Sequence, residues 1–331
     1  MGHTRAAACG GPFYSSRTMK ISGFSMARNA WKLYYPLRPA IESILPLVDE
    51  FVVAIGAGDE DDRTREWIAA IDSPKVKIID TVWDLEQYPH GTENAHQTDI
   101  ARAACIGDWL FYLQADEVVH ENDLPKIRAR CQQLVDDPEV EGLLFKYLHF
   151  WGDYQHVHQS HNWYKNEIRI IRNRSDIHSW VSAQSFRRIP NFDGLHYRQK
   201  EGTYRLKVAP VDAHIYHYGW VRPPRLMKKK MRALNRIHEG PEKKQAGVDD
   251  APDFDYGPLG DLPIFRGTHP QVMQSWIEQL DWQEALYEHG PLTSRSKMKH
   301  ETTKYKLLSW LENHILGGRK IGRKNYILLR R

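Results

Sequence analysis

Cysteine is scarce in this chain. Three occur in 331 residues, Cys9, Cys105 and Cys131. Their spacing suits neither a zinc knuckle nor a disulfide framework, so a reducing, cytoplasmic setting is the simplest reading. Long apolar runs are missing: none approaches the ~18 residues that a membrane span requires. The opening stretch MGHTRAAACGGPFYSSRT has no apolar segment of the secretory kind. Small, polar and patternless, residues 1–18 read as a disordered leader, with Met19 as the start of the folded chain. A strong charge of one sign is lacking too. Lys and Arg number 46 against 42 Asp and Glu, a net +4, too little to argue for nucleic acid. There is no internal repeat and no long low-complexity tract. What remains is a globular composition, 41% hydrophobic and 27% charged, on a chain long enough for one large domain or two ordinary ones.

The stretch that organises the chain is DWLFYLQADEVVH, Asp108 to His120. Trp109 to Leu113 are apolar without a break, as in a strand buried on both faces of a parallel sheet. The run stops on Gln114-Ala115-Asp116-Glu117. Acids at the C-terminal end of such a strand lie where open α/β sheets bind ligands. Oxygen ligands there suit Mg²⁺ or Mn²⁺. Equally, Asp116 reads as the cap of the next helix and Glu117 as an exposed acid.

Around this stretch the pattern is strand, loop, helix, repeated. Strands are expected over Lys20–Met26, Phe51–Ile55, Val76–Val82 and Trp109–Gln114. Helices are expected near Pro39–Val48, over Arg63–Ala70 and over Thr92–Ala104, the last closed by Gly107. Such repetition predicts a parallel sheet with right-handed crossovers. After Glu117 a helix over Asp123–Leu134 is followed by strands with no helices between them: Gly142–Phe150, Glu167–Ile171 and Ala213–Tyr218. That predicts a mixed second half. From Pro223 the chain turns basic and helical, with further helices expected around Gln271–Tyr287 and Thr303–Leu316.

Several features in order resemble a family 2 glycosyltransferase of the GT-A fold. The first strand runs into Arg28-Asn29. The second is followed by Gly58-Asp59-Glu60-Asp61-Asp62-Arg63-Thr64, similar to the family's acidic loop ending in Asp-x-Thr. Gly107-Asp108 leads into the buried strand, and Gln114-Ala115-Asp116-Glu117 resembles its Asp-x-Asp motif followed by an acid. His214-Ile215-Tyr216-His217-Tyr218-Gly219-Trp220 resembles the His-Tyr-Gly stretch of bacterial members. The resemblance implies a GT-A-like, Rossmann-like, mostly parallel sheet flanked by helices over residues 19–222, with a mostly helical, basic extension over 223–331. It implies transfer of a sugar from a nucleotide-diphosphate sugar to an acceptor hydroxyl, with inversion and a divalent cation, Mg²⁺ or Mn²⁺, on the diphosphate. The acceptor would be a glycan or a lipid-linked precursor of a surface polysaccharide or glycolipid. On this reading Asp116 and His217 would hold the metal. Arg28, Asn29, Gly58, Asp59, Asp62 and Gln114 would hold the nucleotide-sugar.

Two positions depart from the family. Gln114 replaces the first Asp of Asp-x-Asp, and a neutral amide can hold only a ribose hydroxyl or a metal-bound water. The family's catalytic carboxylate has no counterpart in Ser179–Gln184. An inverting displacement needs a base near the acceptor hydroxyl. Glu117 and Asp176 are the candidates taken forward, with Glu167 and Asp193 also in view.

A plainer role is open to each site residue. Asp62 could be only the N-cap of its helix, Arg28 only a surface ion pair, and His217 a hydrogen-bonded core residue. His149, His156, His158 and His161 invite zinc but lack Cys partners or a His-x-x-x-His helix. Trp151, Tyr154, Trp163 and Tyr164 could stack on a sugar or belong to the core. A sugar nucleotidyltransferase would favour a glycine-rich phosphate loop after the first strand; Ser25-Met26-Ala27-Arg28 has none. Two non-enzymatic roles compete with transfer: a catalytically silent binding protein, and a basic nucleic-acid binder using the Arg222–Arg236 stripe. The balance of charge argues against the second. The Thr303–Leu316 helix, with Leu307, Trp310, Leu311 and Ile315 near Lys304 and Lys306, either packs on its own domain or lies on the inner, cytoplasmic face of a membrane.

Overall fold

Alternating buried strands and helices build the first half of the protein. The computed structural model describes residues 18–240, 253–293, 295–322 and 324–331. The leader expected over residues 1–18 falls, but for Thr18, outside them. Strand β1 (Ile21–Ala27) is followed by helix α1 (Leu37–Ile44), β2 (Glu50–Gly56), α2 (Thr64–Ala69), β3 (Val76–Thr81), α3 (Thr92–Ala103) and β4 (Trp109–Tyr112). Strands β1 to β4 are mutually parallel wherever they pair. Every residue of β2 and β4 is buried, which is why their apolar runs show no alternation. Helix α1 covers one face with Leu37, Ala40, Ile41 and Ile44. Phe24, Phe51 and Phe111 are fully buried, each worth ~1.5–3 kcal/mol of apolar burial.

The second half inserts antiparallel partners. Strand β5 (Glu117–Val119) leads to α4 (Leu124–Leu134), β6 (Gly142–Trp151), β7 (Val157–His158), β8 (Asn166–Arg172), β9 (Ile177–Trp180), β10 (Ser185–Arg188), β11 (Tyr204–Arg205) and the long β12 (Lys207–Trp220). The main sheet runs β3-β2-β1-β4-β8-β6-β12, with β5 pairing β12, while β9, β10 and β11 form a small second sheet. Strand β8 is antiparallel to β4 and β6, and β12 is parallel to β6. The result is a mixed, mostly parallel, Rossmann-like and GT-A-like sheet flanked by helices, with a helical C-terminal extension.

That extension begins with α5 (Pro224–Glu239) and continues with α6 (Gln274–Glu278) and α7 (Thr303–Trp310). Its last strand, β13 (Ile327–Leu328), returns to pair with β12 at the sheet edge. Two helices expected from the sequence come out differently. Gln271–Tyr287 is not one helix but three short pieces, Gln271–Met273, α6 and Gln283–Ala285. The chain bends so that Met273 and Trp282 bury against Phe150, Tyr154 and Tyr218, and the Trp282 indole donates to the Gly152 carbonyl at 2.8 Å. A straight helix could not present both side chains to that cluster. The Thr303–Leu316 helix widens after Trp310 into a π-turn, Leu311–Ile315. The fully buried Glu312 explains it, accepting from His161 Nδ1 and the Ile321 amide, both at 2.6 Å. An inserted turn of this kind re-aims one side chain.

Candidate functional site

The C-terminal ends of β1, β2 and β4 face the same edge of the sheet, because the three strands are parallel. After β4 the chain turns at once. The Gln114 amide donates to Glu117 Oε2 at 3.0 Å, and the Tyr218 amide donates to the Asp116 carbonyl at 2.8 Å. Asp116 is thereby pinned against β12. There Gly219 has no side chain for a physical reason: a Cβ would lie 2.6 Å from His217 Nε2 and 2.7 Å from Asp116 Oδ2.

Four polar side chains converge on this point, all buried. His217 Nε2 lies 3.7 Å from Asp116 Oδ1. The Lys230 ammonium, from α5, donates to Asp116 Oδ2 at 3.1 Å and to the Gly219 carbonyl at 2.6 Å. Arg222 donates to the same carbonyl at 3.2 Å and to that of Leu33 at 2.7 Å. Its guanidinium lies over the Tyr35 ring. Burial alone would raise the Asp116 carboxyl, but the Lys230 ammonium first, and the Arg222 guanidinium with it, outweigh that and hold it at about 2. Burial, with Arg222 beside it, pulls the Lys230 ammonium down to about 7.

The tautomer of His217 follows from its neighbours. The Tyr164 carbonyl can only accept, and His149 Nε2 lies 2.7 Å from it, so that nitrogen carries a proton. Burial, with His217 adding to it, holds His149 well below the usual histidine range, so the ring is neutral and its Nδ1 is bare. That bare nitrogen accepts from His217 Nδ1 at 3.0 Å. Burial also lowers His217, so its Nε2 is left with a lone pair facing Asp116.

Glu117, one residue on, points the other way. It is fully buried, as is Arg169. Arg169 Nε and Nη2 donate to its two oxygens at 2.7 and 2.8 Å, and Tyr147 adds a third hydrogen bond at 2.9 Å. A general base needs an open lone pair at the acceptor; this geometry makes Glu117 a core counter-ion that positions the turn carrying Asp116. Asp176 stands at the wrong end of the sheet for a base. It lies beyond the end of β8, which runs antiparallel to β4 with Arg172 opposite Trp109. That places Asp176 toward the N-terminal edge of β4, away from Asp116. Arg174 and Arg188 bind both its oxygens at 2.9 to 3.0 Å. Glu167 is buried and accepts from Ser185, and Asp193 pairs with His196 in an exposed loop. Gln114 extends its amide to the Ala183 carbonyl at 2.8 Å.

The loop after β2 is stitched to the end of β1. Asn29, in the left-handed region at φ 56°, accepts from the Asp59 amide at 2.8 Å. Asn tolerates that conformation. Gly58 sits so close that a Cβ would meet Asp62 Oδ2 at 2.6 Å and Asn29 Oδ1 at 2.7 Å. Asp62 accepts from Thr64 Oγ1 at 2.8 Å and the Lys32 amide at 3.3 Å; it does not cap α2, which has no side-chain cap. Asp59 pairs with Lys32 at 2.7 Å. Arg28 Nε donates to the Ala57 carbonyl at 2.8 Å, and its guanidinium lies 5.9 Å from the Trp83 ring. Sequence reasoning missed Trp83, whose ring lies on Gly56. It also missed the fully buried Glu93, pushed up to about 7 by burial. No local pattern singles out either residue.

The other histidines divide. His156 pairs with Asp153 and His161 with Glu312, while His158 stacks on Trp163 in a buried aromatic group. Trp151 and Tyr154 are core residues.

Asp116 and His217 supply one oxygen and one nitrogen lone pair, a donor set that Mg²⁺ or Mn²⁺ accepts. The His149–Tyr164 chain is the kind of outer support that orients a ligating histidine. Among the described residues no group of three His, Cys, Asp or Glu gathers that could hold a metal ion. The two donors fit an ion whose remaining positions are filled by phosphate and water.

Comparison with known proteins adds little to this geometry. No family model matches the chain, and neither does any curated protein sequence. Among solved structures, S. aureus TarS matches with 13% identity over 70% of this chain and a TM-score of 0.36; the chain spans 42% of that protein's length. TarS 1-349 in complex with UDP-GlcNAc matches with 16% identity, 70% of each chain and a TM-score of 0.35. A mannosyltransferase from Pyrobaculum calidifontis, in complex with GDP-Man and Mn²⁺, matches with 14% identity, 41% of this chain, 37% of its own and a TM-score of 0.30. Likenesses this remote carry no argument about activity.

Proposed function

We propose that this protein is a nucleotide-sugar glycosyltransferase. The reading is supported above all by one arrangement. At the C-terminal edge of the β1–β4 sheet, Asp116 and the free lone pair of His217 converge, beside the loop that joins Asn29, Gly58, Asp59 and Asp62. Ligands of open α/β sheets bind at this edge. The loop with Arg28 and Gln114 would receive the nucleoside and ribose. Asp116 and His217 would hold a divalent cation, Mg²⁺ or Mn²⁺, which neutralises charge developing on a diphosphate.

In the proposed step an oxygen of the acceptor hydroxyl attacks the anomeric carbon. The new carbon–oxygen bond forms as the sugar–phosphate bond breaks. Its electron pair leaves on the nucleoside diphosphate, and the hydroxyl proton passes to a base. A single displacement inverts the anomeric carbon. Arg28, Arg222 and Lys230 bring positive charge to the side where the leaving group gathers negative charge. Glycan and lipid-linked hydroxyls of surface polysaccharides or glycolipids are the proposed acceptors, met at the inner face of the membrane. No helix among the described residues is long and apolar enough to cross a membrane, but Leu307, Trp310 and Ile315 are 58%, 51% and 60% exposed rather than packed. An amphipathic helix with neighbouring lysines can lie on an anionic surface.

A second reading, a catalytically silent nucleotide-sugar binder, is favoured by one observation: arginines occupy both carboxylates first considered as the base. A thermal-stabilisation screen with UDP-, GDP-, dTDP- and CMP-sugars and Mn²⁺ tests binding. A ligand at 100 times its Kd adds about 2.7 kcal/mol to the native state. Stabilisation by one donor class, followed by its hydrolysis or transfer, supports the enzyme. Stabilisation without turnover supports the silent binder, and no shift with any donor refutes both.

A further inference from the structure

Helix α5 carries three consecutive lysines, Lys228, Lys229 and Lys230. A basic run on a helix is ordinarily solvated, yet Lys230 is 5% exposed. Its ammonium reaches Asp116 and the Gly219 carbonyl and lies 4.8 Å from the centre of the Tyr35 ring. The charges around it do not balance. Arg169 is matched by Glu117. Among the described residues that leaves the single carboxylate of Asp116 against both Lys230 and Arg222. Buried charges are stable only when paired, so a further anion at this cluster would be stabilised. Arg222 Nε points the same way: it is buried and has no hydrogen-bond partner among the described residues.

A divalent cation makes the imbalance worse. It would need the Asp116 carboxylate that Lys230 already holds, and it would sit within a few ångströms of that ammonium, where like charges repel strongly. A diphosphate reverses the sign, because its oxygens can take the ammonium and share the metal. We infer that Lys230 and a divalent cation exclude each other at Asp116 until a nucleoside diphosphate is present, and that the diphosphate then draws the Lys230 ammonium onto its own oxygens. This rests on the proposed function, and it makes Lys230 a diphosphate-binding residue as well as a bar to free metal. Metal and nucleotide must then bind cooperatively, each raising the other's affinity by the same factor.

Mn²⁺ alone, UDP and GDP are the probes. Free Mn²⁺ is followed by electron paramagnetic resonance and nucleotide binding by calorimetry, on the full chain. Wild-type protein should bind Mn²⁺ weakly by itself and markedly tighter with UDP or GDP. Lys230→Met should bind Mn²⁺ alone about tenfold tighter, a change of the size expected when a neighbouring like charge is removed. It should also bind the nucleotide more weakly and lose the cooperativity. Lys230→Gln, neutral but still able to donate to Asp116 and Gly219, should show the same gain if the methionine variant folds poorly. Lys230→Arg should keep weak binding of free Mn²⁺. Adding Asp116→Asn to Lys230→Met should abolish the gain. If neither neutral variant binds Mn²⁺ more tightly while wild type still binds UDP or GDP with Mn²⁺, the inference is wrong and the proposed function stands. If wild type binds neither nucleotide with or without Mn²⁺, the proposed function falls and this inference falls with it.

Discussion

Substituting Glu117 by Gln separates a core counter-ion from a catalytic base. In the native protein the Glu117 carboxylate accepts two hydrogen bonds from Arg169, at 2.7 and 2.8 Å, one from Tyr147 at 2.9 Å and one from the Gln114 amide at 3.0 Å. Neither Glu117 nor Arg169 touches solvent. Glutamine keeps the volume but removes the charge and turns one acceptor into a donor facing Arg169. The guanidinium is then buried without a counter-charge. Breaking a buried pair from one side costs about 3–5 kcal/mol. For a chain of this size that lowers the melting temperature by roughly 10 °C, at the ~2–4 °C per kcal/mol of domains of 150–250 residues. Urea unfolding should show a lower midpoint with an unchanged slope. Replacing both partners, Glu117→Met with Arg169→Met, should recover much of the loss, since apolar side chains of similar volume often match a buried ion pair. A Glu117→Gln protein of unchanged midpoint that has lost only sugar transfer would refute the reasoning and make Glu117 the base.

Three further outcomes are expected. Gly219→Ala should weaken Mn²⁺-dependent nucleotide binding about tenfold or more by displacing His217 or Asp116, at a modest stability cost of ~1–3 kcal/mol; calorimetry with unchanged affinity would contradict the close approach. Glu93→Gln should stabilise the protein more at pH 8 than at pH 5. The Glu93 carboxyl is raised from 4.5 to about 7, so between those values the native state holds a proton that the unfolded chain has lost. Stability therefore falls as pH rises through that window, by about 3 kcal/mol in all, and an equal gain at both pH values would count against it. The chain should co-sediment with anionic liposomes at low salt and release at high salt, about 1 kcal/mol per lysine or arginine held near the surface. Trp310→Ala should weaken this, and no binding at low salt would end the idea.

The elements of the first half were legible in the sequence because their signals are local. Strands buried on both faces read as unbroken apolar runs; Gly107, expected to close α3, does not cap it, because the helix ends at Ala103 with Ala104 as its cap. The observed bounds of β1 to β4 lie within two residues of those expected. The mouth of β4 was legible for the same reason, since the apolar run ends there on polar residues. What the sequence could not assign was the direction of each acid. Asp116 and Glu117 are adjacent, yet one faces the sheet edge and the other the core, because side chains alternate across the strand β5 that begins there. Their partners come from Lys230, 114 residues on, and from Arg169, 52 residues on. Nothing in the run Lys228-Lys229-Lys230 distinguishes a lysine turned inward from one left in water; Lys229 is exposed and its neighbours are not. The expected helix over Gln271–Tyr287 failed likewise, its pattern being compatible with helix until the aromatic cluster around Phe150 claimed two of its side chains. Hydrophobic burial is read from near neighbours along the chain. Pairing of buried charges depends on which distant segments meet, and only the tertiary structure decided that.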